Sequence, residues 1–266
     1  MKDAFLTLGR GVGQVMFQNN ALSGVLMLAG ILLNSWQMAL LAIAGNVVST
    51  LTACLSGYSR EDIRNGLYGF NGTLVGIAIG VFMPVSVASF SLLVAGACLS
   101  AWIARLFSLQ RRVPGFTAPF ILSVWILLAA CRGMMPSLLL PSGNAVTAQS
   151  LSFLQAFCLN IGQVMFQGNT VLAGVLILLG IMVNSRINGF YAALGAGLSI
   201  PFALLLGVDD AVLNAGLTWA TVAVLLSVLL QIGGMKWGIT TLTAPFVVAV
   251  WIMAGCRAGW KNRNRN

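Results

Sequence analysis

Apolar runs alternate with short polar breaks along almost the whole chain, without the period of two that a membrane barrel strand would show. In the first half the pattern predicts a short segment at 4–17 and spans near 20–36, 38–56, 67–84, 86–107 and 115–132. Linkers fall at Gly57–Asn65, Ser108–Pro114 and Gly133–Ala148. The second half predicts a short segment at 150–167 and spans near 170–185, 188–207, 213–234 and 239–256. A bilayer-crossing helix needs roughly 17–25 residues, and the longer runs have that length. The expected fold is therefore an all-α polytopic membrane protein.

The pattern repeats in detail. GQVMFQ occurs at Gly13–Gln18 and again at Gly162–Gln167. GVLMLAGILLNS (Gly24–Ser35) is answered by GVLILLGIMVNS (Gly174–Ser185), and FTAPF (Phe116–Phe120) by LTAPF (Leu242–Phe246). Each TAPF is followed by a tryptophan, Trp125 and Trp251. The chain is an internal duplication, with a first repeat at 1–135 and a second at 136–266 inside one integral membrane domain. Duplications of this kind build transport folds with the solute site between the halves.

The halves keep step from Gly24/Gly174 to Leu67/Leu217, and then the step breaks. Leu67 to Thr117 is 50 residues, whereas Leu217 to Thr243 is 26, so the second half is short by 24 residues, about one span. No second copy of YGFNGTLVGIAIG (Tyr68–Gly80) exists. Charge gives an independent reading. With Lys2 and Arg10 cytoplasmic, five spans leave Arg60, Arg64, Arg111 and Arg112 inside, and Arg186 follows them, as the positive-inside rule prefers. Four spans in the second half strand the tail bearing Arg257, Lys261, Arg263 and Arg265 outside; a fifth returns it. A span is either missing from the sequence as given or truly deleted. In the first case Leu217 and Thr218 are expected on opposite membrane faces.

Composition narrows the classes. Of 266 residues, 59% are hydrophobic and 7% charged, and mean hydropathy is +0.95, a surface water would not solvate. The first segment does not read as a cleaved signal, because Arg10 lies among Gly9, Gly11 and Gly13. The five cysteines form no CxxC pair, which leaves them as packed thiols with no metal role. The net charge of +9 sits at span ends and in the tail, the pattern of cytoplasmic flanks rather than of a nucleic-acid partner.

The chain has no histidine, and its five acidic residues (Asp3, Glu61, Asp62, Asp209, Asp210) all fall in expected tails or loops. Nothing within a span can relay protons or act as a general acid or base, which argues against an enzyme and against proton-coupled pumping. The embedded polar groups come in duplicate. Gln14 and Gln163 each offer an acceptor and a donor. Phe17 and Phe166 follow three residues later and on a helix would share the glutamine's face. Thr117 and Thr243 add hydroxyls. Asn71 has no partner and lies in a Gly-rich segment with Phe70 and Leu74 one turn apart. Each also has a plainer reading: amides and hydroxyls bond across helix contacts, phenylalanines pack, and Pro119 and Pro245 sit in first turns.

These residues together resemble the urea transporter family, in its bacterial form. The resemblance rests on GQVMFQNN (Gly13–Asn20) with GQVMFQGN (Gly162–Asn169), on GLYGFNGTLVGIAIG (Gly66–Gly80) and on the FTAPF/LTAPF pair. It implies two inverted repeats, each of about five transmembrane helices plus a re-entrant half-helix, the second short by one span here. It further implies a homotrimer in the plasma (bacterial inner) membrane and a urea pore in each subunit that needs no cofactor, while the charge pattern puts both termini in the cytoplasm once the missing span is restored. Carried onto this chain, Gln14, Thr117, Gln163 and Thr243 would be a polar ladder for urea's amides and carbonyl. Phe17, Phe70, Leu74 and Phe166 would form a flat slot, with Asn71 beside it and Val15 and Val164 at the constriction. The alternatives are a non-transporting membrane subunit or a channel for another small neutral polar solute. An ammonia channel would require pore histidines, and an aquaporin-type pore NPA-like repeats; the chain has neither.

Overall fold

The computed structural model describes residues 2–110, 115–141 and 152–205, together with Asp210 and Asn214. The break expected at Leu217–Thr218, the second TAPF motif with Thr243, and the basic tail lie outside the described residues.

Every regular element among the described residues is helical. Ten α-helices follow in order: α1 (Lys2–Gly13), α2 (Ala21–Asn34), α3 (Trp36–Leu55), α4 (Arg60–Arg64), α5 (Gly69–Phe82), α6 (Val87–Gln110), α7 (Ala118–Met134), α8 (Phe153–Gly162), α9 (Val171–Asn184) and α10 (Arg186–Leu205). Short 3-10 turns extend α1 at Gln14–Met16 and α8 at Gln163–Met165. Breaks fall where the chain supplies caps. Asn20 Oδ1 accepts from the Leu22 and Ser23 amides (2.8 and 3.2 Å) to start α2, and Ser35 Oγ accepts from Met38 N (3.3 Å) to start α3.

Three helices, α3, α6 and α10, are long and apolar enough to cross a bilayer alone. The run from Lys2 to Asn34 passes the same length and composition test only as a broken pair, bent by 71° between the 3-10 turn and α2. The expected spans near 20–36, 67–84 and 170–185 are 14-residue helices, about 21 Å long at 1.5 Å per residue, against a hydrocarbon core of roughly 30 Å. The hydropathy of α5 counts for burial rather than for span length: Gly69 to Ile79 is buried without a gap, so this helix is walled by protein on all sides.

Small residues make that burial possible. A Cβ on Gly72 would strike the Gly45 carbonyl oxygen, one on Gly45 the Gly72 carbonyl, and one on Gly76 the Leu41 carbonyl. The α3 and α5 backbones therefore lie in direct contact, the geometry that membrane helices reach through small residues.

One contact between the halves comes as an exchanged pair. Helix α2 packs along α9, its counterpart in the repeat. A Cβ on Gly30 would sit 3.1 Å from the Ala173 carbonyl oxygen, and one on Gly180 would sit 2.9 Å from that of Ser23. Gly180 is the repeat position of Gly30, and Ala173 that of Ser23. At the helix ends, Asn34 Oδ1 accepts from Asn169 N (3.1 Å), and Asn184, the counterpart of Asn34, donates through Nδ2 to Gln18 Oε1 (2.9 Å).

One contact is exchanged within each half instead. Asn46 on α3 donates to the Leu8 carbonyl (2.9 Å) across Gly11 of α1, where any larger residue would collide with its amide. At the matching positions the second half has Asn160 on α8 and Ala196 on α10, and Asn160 Nδ2 donates to the Ala196 carbonyl and to Ser199 Oγ (3.3 and 2.7 Å). The asparagine has changed helices while the small residue has taken its place.

Gly76→Ala is expected to destabilise the fold by about 1–3 kcal/mol, since neither backbone can retreat. Gly133→Ala in α7, where no described atom lies within 4 Å of the added methyl, should be neutral or gain about 0.5–1 kcal/mol. Thermal unfolding of the detergent-solubilised protein compares the two.

Candidate functional site

Both GQVMFQ copies fold into the same helix ending. The amide of Phe17 donates to the Gln14 carbonyl (2.9 Å) and that of Gln18 to the Gly13 carbonyl (3.0 Å). In the second copy Phe166 donates to Gln163 and Gln167 to Gly162, each at 3.0 Å. This is the Schellman pattern, in which the penultimate link adopts a left-handed conformation usually given to glycine. Here a phenylalanine holds it, with φ 57° at Phe17 and φ 60° at Phe166. A left-handed conformation costs an L-residue roughly 1–2 kcal/mol, and for a bulky side chain it is an outlier that points to function. The expectation that each phenylalanine shares a helical face with its glutamine is thus corrected: the helix ends at the glutamine's turn, and the ring leaves by a backbone reversal.

A third phenylalanine, Phe116, is also left-handed (φ 44°), and among the described residues these three are the only non-glycines with positive φ. It stands just before α7, and that helix start joins the two turns. The Phe17 and Phe116 rings meet edge to face at 5.5 Å, and those of Phe166 and Phe120 at 6.4 Å. Thr117 therefore lies in a five-residue stretch gripped at one end by the first repeat's turn and at the other by the second's. Phe17 remains 47% exposed while Phe120 is fully buried.

Asn71 holds this helix start from α5. Its Oδ1 accepts from Phe120 N (3.0 Å), and its Nδ2 lies 3.5 Å from the Phe116 carbonyl, a weak contact. Phe120 is the third residue of α7, whose amide a helix's own N-cap side chain ordinarily satisfies. Thr117 occupies that cap position and its side chain makes no capping bond to α7. Pro119 is in the first turn, where its missing N–H is harmless.

The other expected residues fall as follows. Val15, Phe70 and Leu74 are buried in one apolar cluster, against which Phe116 and Phe166 pack. Gln14 is buried and its Nε2 donates to the Asn65 carbonyl (3.0 Å), which leaves its own carbonyl as the acceptor. Gln163 is half-buried and lies against Gly168, where a Cβ would strike its amide. Asn19 stands at the corresponding place in the first copy and bonds through Nδ2 to Asn65 Oδ1 (3.1 Å). That one difference gives the two glutamines different surroundings. Val164 is half-buried and outside the cluster that holds Val15. Sequence reasoning missed Phe116, Phe120 and Asn65; the first two lie inside the FTAPF motif, which was read for its threonine and proline. Among the described residues no group of three or more His, Cys, Asp or Glu could hold a metal ion.

A cavity of about 450 Å³ leads up to these residues from the ends of α4 and α6. Phe70, Asn71, Phe116 and Pro119 form its inner wall.

Asn71→Ala is expected to destabilise the protein by about 1–3 kcal/mol, because it leaves the Phe120 amide buried and unpaired. Asn71→Asp keeps the acceptor and should recover part of that loss if the acceptor carries the contact. Chemical or thermal unfolding in detergent measures both.

Comparison with known proteins finds a matching family model and relatives of the same name. A family model described as urea transporter matches residues 5–219. "Urea transporter 1" of Rattus norvegicus is 32% identical over 260 residues, and the proteins of the same name from Mus musculus and Ovis aries are each 31% identical over 260 residues. In each case the alignment covers 90% of this chain and 65% of the relative, so this chain spans just under two thirds of their length. The helical, apolar chain with its doubled GQVMFQ turns belongs to the urea transporter family.

Proposed function

We propose that this integral membrane protein conducts urea passively through a slot built around the start of α7. The observation that carries the reading is the trio of left-handed phenylalanines, two of which, Phe17 and Phe116, meet edge to face. Strain repeated at both turns is hard to explain by packing, since glycine or asparagine would end the helix at less cost. It is explained if the rings must stand where a helical backbone would not put them. Urea is planar, with four N–H donors along its edges and one carbonyl. Aromatic walls suit its faces, while Thr117 and the free carbonyl of Gln14 suit its edge. Phe70 and Leu74 extend the apolar wall, Val15 and Val164 narrow the passage, and Gln163 and Thr243 complete the ladder from the second repeat. Asn71 serves as the bolt of the α7 helix start.

The exchanged Gly30–Ala173 and Gly180–Ser23 contacts of α2 with α9 support a two-fold relation between the repeats at 1–135 and 136–266, the arrangement an inverted-repeat transporter requires. The family match ends at residue 219, beside the point where repeat register is lost, in keeping with a span missing after Leu217. Assembly as a homotrimer in a bacterial inner membrane, with cytoplasmic termini, completes the reading.

No ionisable side chain is needed in such a slot, so flux should ignore an imposed proton gradient. Thr117→Val, alone or with Thr243→Val, keeps shape and removes a hydroxyl. Stopped-flow light scattering on proteoliposomes should show urea flux falling about fivefold or more, because a hydrogen bond to a desolvated solute is worth on the order of 1 kcal/mol or more. Unchanged flux in folded double-valine protein would mean that the threonines only pack.

A further inference from the structure

The last carbonyls of a helix have no donor within it and must find one elsewhere. Helix α4 ends against the first GQVMFQ turn, and each completes the other. The chain's own amides serve α4 first: Asn65 N donates to the Glu61 carbonyl (2.9 Å), Leu67 N to that of Asp62 (3.0 Å) and Gly66 N to that of Ile63 (2.9 Å). The next two carbonyls accept side chains of the first repeat. Arg10 Nη1 donates to the Arg64 carbonyl (3.1 Å) and Gln14 Nε2 to the Asn65 carbonyl (3.0 Å). Arg10 and Gln14 are four residues apart, the spacing that sets two side chains on one helical face. Asn19, just past the turn, adds a third bond, from Nδ2 to Asn65 Oδ1 (3.1 Å). Gly66 keeps the contact close: it is left-handed (φ 74°), and a Cβ there would strike Gly11 N and the Arg10 carbonyl carbon.

This clamp decides which end of the Gln14 amide is available. A backbone carbonyl can only accept, so the amide meets it nitrogen first; turned over, it would set oxygen against oxygen. The Gln14 oxygen then has no bond among the described residues, and unlike that of Gln167 it is not sealed within the protein. The second repeat lacks the outer members of the clamp. Leu159 stands at the position of Arg10 and Gly168 at that of Asn19, and neither has a side-chain donor.

We infer that Arg10 and Asn19 are positioning residues for the solute site: by holding the end of α4 against the first turn, they fix the Gln14 amide with its oxygen toward the solute and make the first repeat's station selective for N–H donors. The inference rests on the urea reading above and gives that site a preference within the class of small amides. Urea and acetamide are alike in size and each has one carbonyl, but urea has twice the N–H groups. A fixed oxygen favours urea. An amide free to turn over presents N–H as readily and loses the distinction.

Arg10→Met combined with Asn19→Ala removes both outer donors and leaves Gln14 and Thr117 intact. In proteoliposomes, with each flux corrected for protein-free vesicles, the ratio of urea to acetamide flux should fall by roughly three- to tenfold, the worth of about one hydrogen bond, with acetamide flux within about twofold of the unaltered protein. Arg10→Lys in place of Arg10→Met keeps a donor and should recover part of the ratio. A merely structural role would lower both fluxes together, so an unmoved ratio in the folded double variant overturns the inference. Should the double variant not fold, Asn19→Ala alone, at an exposed side chain, carries the same test with a smaller fall in the same direction, and no fall overturns it. A second readout needs no flux. With isotope-labelled glutamine and NMR in detergent, the Gln14 side-chain amide, assigned by its loss in Gln14→Glu, should exchange with water several-fold faster in the variant than in the unaltered protein. If the unaltered protein moves no urea, the transport reading fails, and the amide alone decides the clamp: faster exchange in the variant upholds a fixed Gln14, and an unchanged rate removes it.

Discussion

A helix that stops inside a membrane protein must still satisfy its last carbonyls, because no water is at hand to do so. That constraint organises this molecule. Helices α1 and α8 both end within the fold, and both close their ends with the same pair of backbone bonds across Gly13–Gln18 and Gly162–Gln167. The closure requires one left-handed residue, and the chain places phenylalanine there twice. From this follow the sharp turn into α2, the outward direction of the Phe17 ring, and the meeting of both repeats at the start of α7. The strain is tolerated because the surroundings fix it: Asn71 holds the Phe120 amide, and the glycine-lined contact of α3 with α5 holds Asn71.

The polar groups of the site are arranged on the same economy. Asn71 caps a helix to which it does not belong, at the amide that the side chain of Thr117, the N-cap residue, does not cap. Gln14 is tied through its nitrogen to Asn65 and presents its oxygen, whereas Gln163 rests on Gly168. The two repeats therefore offer similar groups in dissimilar settings. A solute passing between them would meet a sequence of unequal stations rather than one site twice.

Much of this was legible in the chain before any coordinates. The duplicated GQVMFQ and TAPF motifs, the absence of histidine and of embedded carboxylates, and the helical character of the apolar runs all led to a membrane protein of this family. The end of each short segment near its GQVMFQ was visible as well. What was hidden was the backbone at Phe17 and Phe166. A residue three places after glutamine reads as the same helical face, and only glycine or asparagine would have announced a left-handed link. The shortness of α5 was also hidden, because hydropathy cannot tell a helix wrapped in protein from one wrapped in lipid. The capping role of Asn71 is a contact across 49 positions of sequence, which no local pattern encodes.

The migrating asparagine has a consequence for how the two copies diverged. Asn46 faces Gly11 in one half, and Asn160 faces Ala196 in the other. Pairing α1 with a copy of α10 would set Gly11 against Ala196 and leave a polar seam empty; pairing α8 with α3 would press two asparagines into the room for one. Neither helix can now be traded between the copies, although each half began as the other's duplicate. A chimera that exchanges single helices should misassemble where one that exchanges the linked pair does not. An ancestor with two identical halves must have crossed that seam through an intermediate carrying both asparagines or neither.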